Sequence, residues 1–336
     1  MRAVMQFLVA FLVTLVSIGL LLPVLIITLP FLVMGILVRV LARIRKFEVA
    51  GWRNIIQFDS VVGWKPQPSL DCYAKADSIF HLTTGTDGWR TSSCTIEESE
   101  VVAFGDSFLF GYGVDDERVF WNQANAVKIK AIGCVGYNMV QAVLLMREYA
   151  PQIAGKQVHW YIFLGNDLTD NLQPSMKEYR TPFVREQRSE WGIETDHLNA
   201  SPWPIASSAL RFPADLAAYC STSSINKRVF SAGEFLIKLA FEEVSKVNAH
   251  LTVITIPDRL QLSDDGLALL RSLAPVGEKF DPAYPDQVLG DICKRVGVDH
   301  FALKDYLDSM DYNQLDRHWN KEGHQKVATI LYSVRE

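Results

Sequence analysis

From Ala3 to Val38 the chain carries no charged residue, and Leu, Val, Ile and Phe fill most of the stretch. A helix crosses a bilayer core with about 20 apolar residues, so this run is too long for one ordinary span. Pro23 and Pro30 interrupt it, and a helix interior tolerates proline only where neighbours satisfy the freed backbone groups. Two arrangements stay open. One is a hairpin of two short spans turning near Gly19 to Pro23; the other is a single long span, kinked or partly re-entrant. A cleaved secretory signal fits poorly, because its apolar region has about 7–15 residues and ends at a small-residue cleavage site. No Ala-x-Ala follows this run.

Residues 47–98 show no sustained period. Gly63-Trp64-Lys65-Pro66-Gln67-Pro68 and Thr83-Thr84-Gly85-Thr86-Asp87-Gly88-Trp89-Arg90 are rich in turn formers, and the segment reads as an irregular lead-in packed on the main domain. From Glu100 onward short apolar runs alternate with longer amphipathic stretches. Strands are predicted at Val101–Phe104, Val127–Ile132, Val158–Leu164, Leu251–Ile256 and Asp299–Leu303. Helices are predicted from Met139 to Tyr149, from Arg228 to Val247 and from Lys321 to Ser333. Strand, helix, strand at this spacing implies parallel pairing with right-handed crossovers, hence a three-layer α/β/α sandwich. Residues 168–227, with their Pro, Trp and Ser clusters, fit this rhythm least and read as an inserted cap or long loop. Phe183, Trp191 and Trp203 there are either the core of a small cap or the lining of a sugar or lipid groove. The predicted organisation is a membrane segment with a basic flank at 1–46, the lead-in at 47–98, and a main domain at 99–336 with an insertion around 168–227.

Charge alters this picture by its distribution. The formal net charge is −5, yet the first 46 residues hold Arg2, Arg39, Arg43, Arg45 and Lys46 and no acid. The remainder therefore carries 28 bases against 38 acids. Such a body lacks the basic footprint that a phosphate backbone requires, which argues against nucleic-acid binding. The bases flanking the apolar run favour the inner cell membrane with the main domain on its cytoplasmic face; a periplasmic placement is the alternative. Five cysteines, Cys72, Cys94, Cys134, Cys220 and Cys293, contain no Cys-x-x-Cys pair. An odd, scattered set argues against a disulfide framework and against a four-thiolate zinc site.

In an open parallel sheet, ligands sit beyond the carboxyl ends of the strands, so the residues after each predicted strand are the candidates for chemistry. Gly105-Asp106-Ser107-Phe108 follows the first. Its serine needs a base to become a nucleophile, and the same residues also read as a helix cap. Gly133-Cys134-Val135-Gly136-Tyr137-Asn138 follows the second, where glycine allows backbone N–H groups to face a ligand or simply makes a tight turn. Gly165-Asn166-Asp167 follows the third; the Asn166 amide suits a developing oxyanion or an Asx turn. Near the C-terminus stands Asp316-Arg317-His318-Trp319-Asn320, with His324 in the helix beyond. A carboxylate two residues before a histidine can orient the imidazole as a general base. Asp316, His318 and His324 match no specific metal-ligand spacing.

In this order the blocks resemble those of the SGNH hydrolase superfamily, the GDSL esterase/lipase family. The resemblance covers roughly residues 58–336. It includes Gly63-Trp64 and the run Val101-Val102-Ala103-Phe104-Gly105-Asp106-Ser107-Phe108-Leu109-Phe110-Gly111-Tyr112-Gly113-Val114, which is similar to the first block of bacterial members. It implies a flavodoxin-like sandwich around a five-stranded parallel sheet. It also implies acyl transfer from an ester to water through an acyl-enzyme, without metal or organic cofactor. By position, Ser107 matches the nucleophile, His318 the base and Asp316 the orienting acid. The N–H groups of Ser107 and Gly136, with the Asn166 amide, match the oxyanion donors. There are three departures. Phe108 stands where many members have Leu. Gly165 directly precedes Asn166, where the third block usually reads Gly-x-Asn-Asp. The acid precedes the histidine by two residues rather than three, and Leu315 holds the third position.

The expected activity is thus that of a membrane-anchored serine ester hydrolase acting on an acyl ester of a glycan, a lipid or a small molecule. Two alternatives stand beside it, the first with the same residues. A sugar hydroxyl could resolve the acyl-enzyme, making an O-acyltransferase or deacetylase of envelope polysaccharide or lipid. The domain could instead be a catalytically weak subunit docked on a membrane complex.

Overall fold

A computed structural model describes residues 5, 8–12, 19, 28–37, 49–51, 54–123, 127–176, 179–200, 213–223 and 225–333. The chain divides into two units, Met1–Val49 and Ala50–Glu336. In the first, residues 8–12 and 28–37 are helical and exposed. Among the described residues no helix is long and apolar enough to cross a membrane; about half of the run expected to enter the bilayer lies outside them.

The second unit begins with β1 (Ile56–Asp59), β2 (Gly63–Pro66), β3 (Asp71–Lys75) and β4 (Ile79–Thr83). They pair as two antiparallel hairpins, β1 with β2 and β3 with β4. The expectation of an irregular lead-in is therefore corrected. These strands are four or five residues long and bury isolated side chains such as Trp64, Phe80 and Leu82, so the sequence shows turns more plainly than alternation.

The chain continues through β5 (Val101–Gly105), α1 (Ser107–Phe110), β6 (Ile129–Gly133), α2 (Met139–Glu148), β7 (Gln157–Phe163) and α3 (Asp167–Asp170). An excursion follows: β8 (Ser175–Met176), β9 (Tyr179–Arg180), β10 (Phe183–Gln187) and β11 (Glu190–Glu194). These form two more small hairpins. Then come α4 (Ile225–Ser245), β12 (His250–Ile256), α5 (Asp264–Leu273), α6 (Tyr284–Val296), β13 (Asp299–Ala302) and α7 (Lys321–Ser333). Five strands make one sheet in the order β13-β12-β7-β5-β6, and every pair is parallel. The fold is α/β, and this strand order is the flavodoxin-like one.

The sheet is buried on both faces, which explains the unbroken apolar runs of its strands. Val102, Phe104, Val158, Trp160, Ile162 and Val253 point into one core with α2, α4 and α6. Val101, Ala103, Ile129, Ala131, Tyr161, Phe163 and Ile254 point into the other, with Phe108 and Leu109 of α1 and Val327 and Leu331 of α7. The side chains alternate faces residue by residue, as the two-residue period of a strand demands. All five cysteines are free thiols.

One close approach fixes the top of the sheet. Gly105 and Gly133 are partners in the β5–β6 ladder. A Cβ on Gly133 would lie 2.6 Å from the Gly105 carbonyl oxygen, inside any permitted contact. The two strands thus end side by side, and the loops that leave them start from adjacent points.

Candidate active site

Ser107 opens α1 directly after β5, and the side chain of Asp106 caps that helix by accepting from the Phe108 N–H at 2.9 Å. The helix-cap reading of Gly-Asp-Ser is met by Asp106, which leaves the Ser107 side chain to its own contacts. Ser107 Oγ lies 2.7 Å from His318 Nε2 and 3.3 Å from Asp106 Oδ2. Two residues 211 positions apart are brought into hydrogen-bond contact, within the reach a nucleophile and its base require.

The loop before α7 supplies the histidine. Arg317, between Asp316 and His318, has φ 62°, a left-handed conformation uncommon for a residue with a long side chain. This turn folds the loop back so that Asp316 Oδ1 accepts the His318 backbone N–H at 2.9 Å. The same oxygen stands 3.5 Å from His318 Nδ1. That nitrogen is buried and makes no hydrogen bond among the described residues, so its contact with Asp316 is electrostatic. The left-handed middle residue is how a spacing of two brings acid and imidazole together. Burial opposes ionisation of Asp316, but the His318 imidazole and the N–H groups of His318 and Asp77 outweigh it and hold the carboxyl below its ordinary range.

Gly136, in the loop after β6, has φ 80°, and a Cβ there would meet Met176 Sδ at 2.8 Å. Asn166, after β7, turns its side-chain amide to the Asp170 carboxylate at the end of α3. An amide nitrogen carries two hydrogens, so one bond to Asp170 fixes the plane of the group and leaves a second donor. Gly136, Asn166, Ser107, His318 and Asp316 all line one cleft of about 490 Å³. Its remaining walls include Trp64, Tyr112, Phe163, Met176 and Tyr179. The cleft sits at the carboxyl ends of β5, β6 and β7, at the point where the strand order reverses.

Two acids here, Asp106 and Asp167, are buried, and Asp170 is partly buried. Burial pushes Asp106 up to about 6, against the pull of the Phe108 N–H and His318. Asp167 is raised well above its ordinary value by burial and by the neighbouring Asp106. It accepts from the Phe163 N–H at 2.9 Å through one oxygen, and the other has no partner among the described residues. Two carboxyls that share one buried pocket favour holding a proton between them. Asp170 is raised to about 6 by burial, with the Asn166 amide opposing.

Asp258, Met176 and Tyr179 are among the wall residues not expected from the sequence. Asp258 is fully buried, lies two residues beyond β12 and stands 3.6 Å from Arg317. Met176 and Tyr179 come from the excursion after α3. Asp258 was within reach of the rule that reads residues after each strand; the other two had no such signal. Of the aromatics considered for a groove, Phe183 is buried and Trp191 donates to Ser231 Oγ at 3.1 Å. Neither lines the cleft, and Trp203 lies outside the described residues. His324 is buried, accepts from the Phe120 N–H at 3.4 Å and packs against Phe120 and Trp319, which makes it part of the core.

The lead-in holds the site from outside. Trp64 Nε1 donates to the Val135 carbonyl at 3.2 Å, and Tyr137 Oη donates to the Trp64 carbonyl at 2.6 Å, one residue to either side of Gly136. Arg90 is fully buried. It pairs with Asp116 at 2.6 Å and donates to the carbonyls of Phe110, Gly111 and Val114, in the loop leaving α1.

No family model matches the sequence, and no curated protein matches it. Among solved structures, the chain is similar to a GDSL-like lipase from Bacteroides thetaiotaomicron, with 11% identity over 73% of this chain and 91% of that one and a TM-score of 0.36. It is similar to a psychrotrophic esterase from Pseudoalteromonas, with 12% identity over 70% of this chain and 95% of that one and a TM-score of 0.39. It is also similar to a carbohydrate acetylesterase from Sinorhizobium meliloti, with 11% identity over 70% of this chain and all of that one (100%) and a TM-score of 0.39. The structural neighbours are thus GDSL-like lipases and esterases, at a degree of likeness from which nothing about the chemistry of this chain is argued.

Proposed function

We propose that the protein is a serine ester hydrolase. The observation that carries this reading is the 2.7 Å contact between Ser107 Oγ and His318 Nε2 in a cleft shared with Asp316, Gly136 and Asn166. Ser107 Oγ forms a bond to the acyl carbon while His318 Nε2 takes the hydroxyl proton. The carbonyl π electrons move to oxygen, and the resulting oxyanion is met by the N–H groups of Ser107 and Gly136 and by the Asn166 amide. Return of those electrons breaks the ester C–O bond, and His318 gives its proton to the departing alkoxide. Water then repeats the sequence on the acyl-enzyme, releasing the acid and free Ser107. Asp316 stabilises the imidazolium formed in each half and takes no proton itself.

A subunit that only docks on a membrane complex would not require a serine hydroxyl in contact with an imidazole, and this favours the enzymatic reading. The uncharged run from Ala3 to Val38 supports anchoring at the inner membrane, with the basic flanks favouring the cytoplasmic side. Fluorophosphonate labelling of detergent-purified protein tests the catalytic assignment. Wild type should label, and Ser107→Ala and His318→Ala should not. Undiminished labelling of folded Ser107→Ala would overturn it.

A further inference from the structure

The turn between β3 and β4 reaches the loop that carries the histidine. Asp77, exposed at the tip of that turn, accepts from the backbone N–H of Leu315 at 2.9 Å through Oδ2 and from that of Asp316 at 3.1 Å through Oδ1. In return, Asp316 Oδ2 accepts the Asp77 backbone N–H at 3.3 Å. The two residues are 239 positions apart, so this reciprocal clasp is tertiary rather than a local turn. Tyr112 Oη ties the same hairpin to the loop leaving α1, donating to the Lys75 carbonyl at 3.0 Å. The clasp sets two carboxylates close together near the protein surface, an arrangement that like-charge repulsion disfavours unless fixed N–H donors hold it. Four N–H groups do so: those of Leu315, Asp316, Asp77 and His318.

We infer that Asp77 is a positioning residue for the reaction, holding the orientation of Asp316 and through it the imidazole of His318. This rests on the hydrolase reading above. One oxygen of Asp316 serves the His318 N–H and faces Nδ1, while the other is held by Asp77. Without the Asp77 carboxylate, the N–H groups of Leu315 and Asp316 lose their acceptors. The strained Arg317 turn then loses its support on the side facing the lead-in. A displacement of about 1 Å in such a contact costs up to a hundredfold in rate.

The test is steady-state hydrolysis of p-nitrophenyl acetate by full-length protein in detergent, with wild type, Ser107→Ala, Asp77→Ala, Asp77→Asn, Asp316→Ala and the Asp77→Ala/Asp316→Ala double variant. Asp77→Ala should lower kcat roughly ten- to hundredfold with KM changed by less than about twofold. Asp77→Asn, which keeps one acceptor oxygen, should recover part of that loss. In the Asp316→Ala background the Asp77 substitution should cost less than about twofold, because the group it positions is gone. Wild-type kcat in Asp77→Ala, or losses that multiply in the double variant, would overturn the inference. Should wild type show no Ser107-dependent turnover, the hydrolase reading alone fails. The crystal structure of Asp77→Ala then decides: displacement of residues 314–318 supports the clasp, and an unchanged loop rejects it.

Discussion

At the scale of single residues, the site is assembled by groups that hold other groups. Asp106 caps the helix of Ser107, Asp170 fixes the Asn166 amide, and Asp316 faces the imidazole. Asp170 shows what such support costs. Its carboxyl is raised from an ordinary 3.8 to about 6, chiefly by burial. The folded state then keeps a proton that the unfolded chain has already released. The stability linked to Asp170 is therefore complete below its unfolded value and is lost as pH rises through about 6. Asp170→Asn keeps an acceptor oxygen without the buried charge. It should raise the melting temperature at pH 8, by a gain of up to about 3 kcal/mol, and the gain should shrink towards pH 4. An equal shift at both pH values in a calorimetric scan would contradict this. The sequence made Ser107, Gly136, Asn166, Asp316 and His318 legible because each stands in a short block after a strand or before a helix. Asp77 and Asp258 were not singled out, because their partners are brought near only by the fold; Asp170 lies four residues from Asn166, and its role shows only in which way that amide turns.

At the scale of elements, the five central strands and three of the helices were readable because their burial is written in apolar runs and periods. Strands buried on both faces show as Val-Val-Ala-Phe or Trp-Tyr-Ile-Phe, with no polar residue to break them. The helices α5 and α6 went unread, although Ser263 caps the first through the Gly266 N–H and Gly297 ends the second in a left-handed turn. The buried face of α5 is narrow, with Gly266 and Leu270 buried, and that of α6 mixes Pro285 and Asp286 with Leu289, Ile292 and Cys293, so polar and turn-forming residues interrupt the apolar signal of both. Where strands meet, the Gly105–Gly133 pair determines how close the two site loops begin. Gly133→Ala places a methyl group against a backbone carbonyl that cannot step aside. It should cost about 1–3 kcal/mol, read as a lower urea midpoint, and should weaken fluorophosphonate labelling of Ser107. An unchanged midpoint would show that the strand ends have room the structure does not give them.

At the scale of the whole molecule, the lead-in is the part whose role the sequence concealed. It packs on the main domain, and beyond that it reaches three of the site loops, through Trp64, Asp77 and Arg90. Arg90 is the most deeply committed, since removing one partner of a buried ion pair costs about 3–5 kcal/mol. A chain beginning at Ala50 should therefore fold and keep labelling at Ser107, and one beginning at Ser99 should lose cooperative unfolding by circular dichroism. A folded, labelling chain from Ser99 would reduce the lead-in to a covering. The central claim is that Ser107 is activated by His318, and the most direct measurement is fluorophosphonate labelling of the purified full-length protein, followed by mass spectrometry of the modified peptide. The account predicts a single adduct on Ser107 that disappears in His318→Ala. A folded wild-type protein that takes no label, or one labelled equally with and without His318, would contradict it.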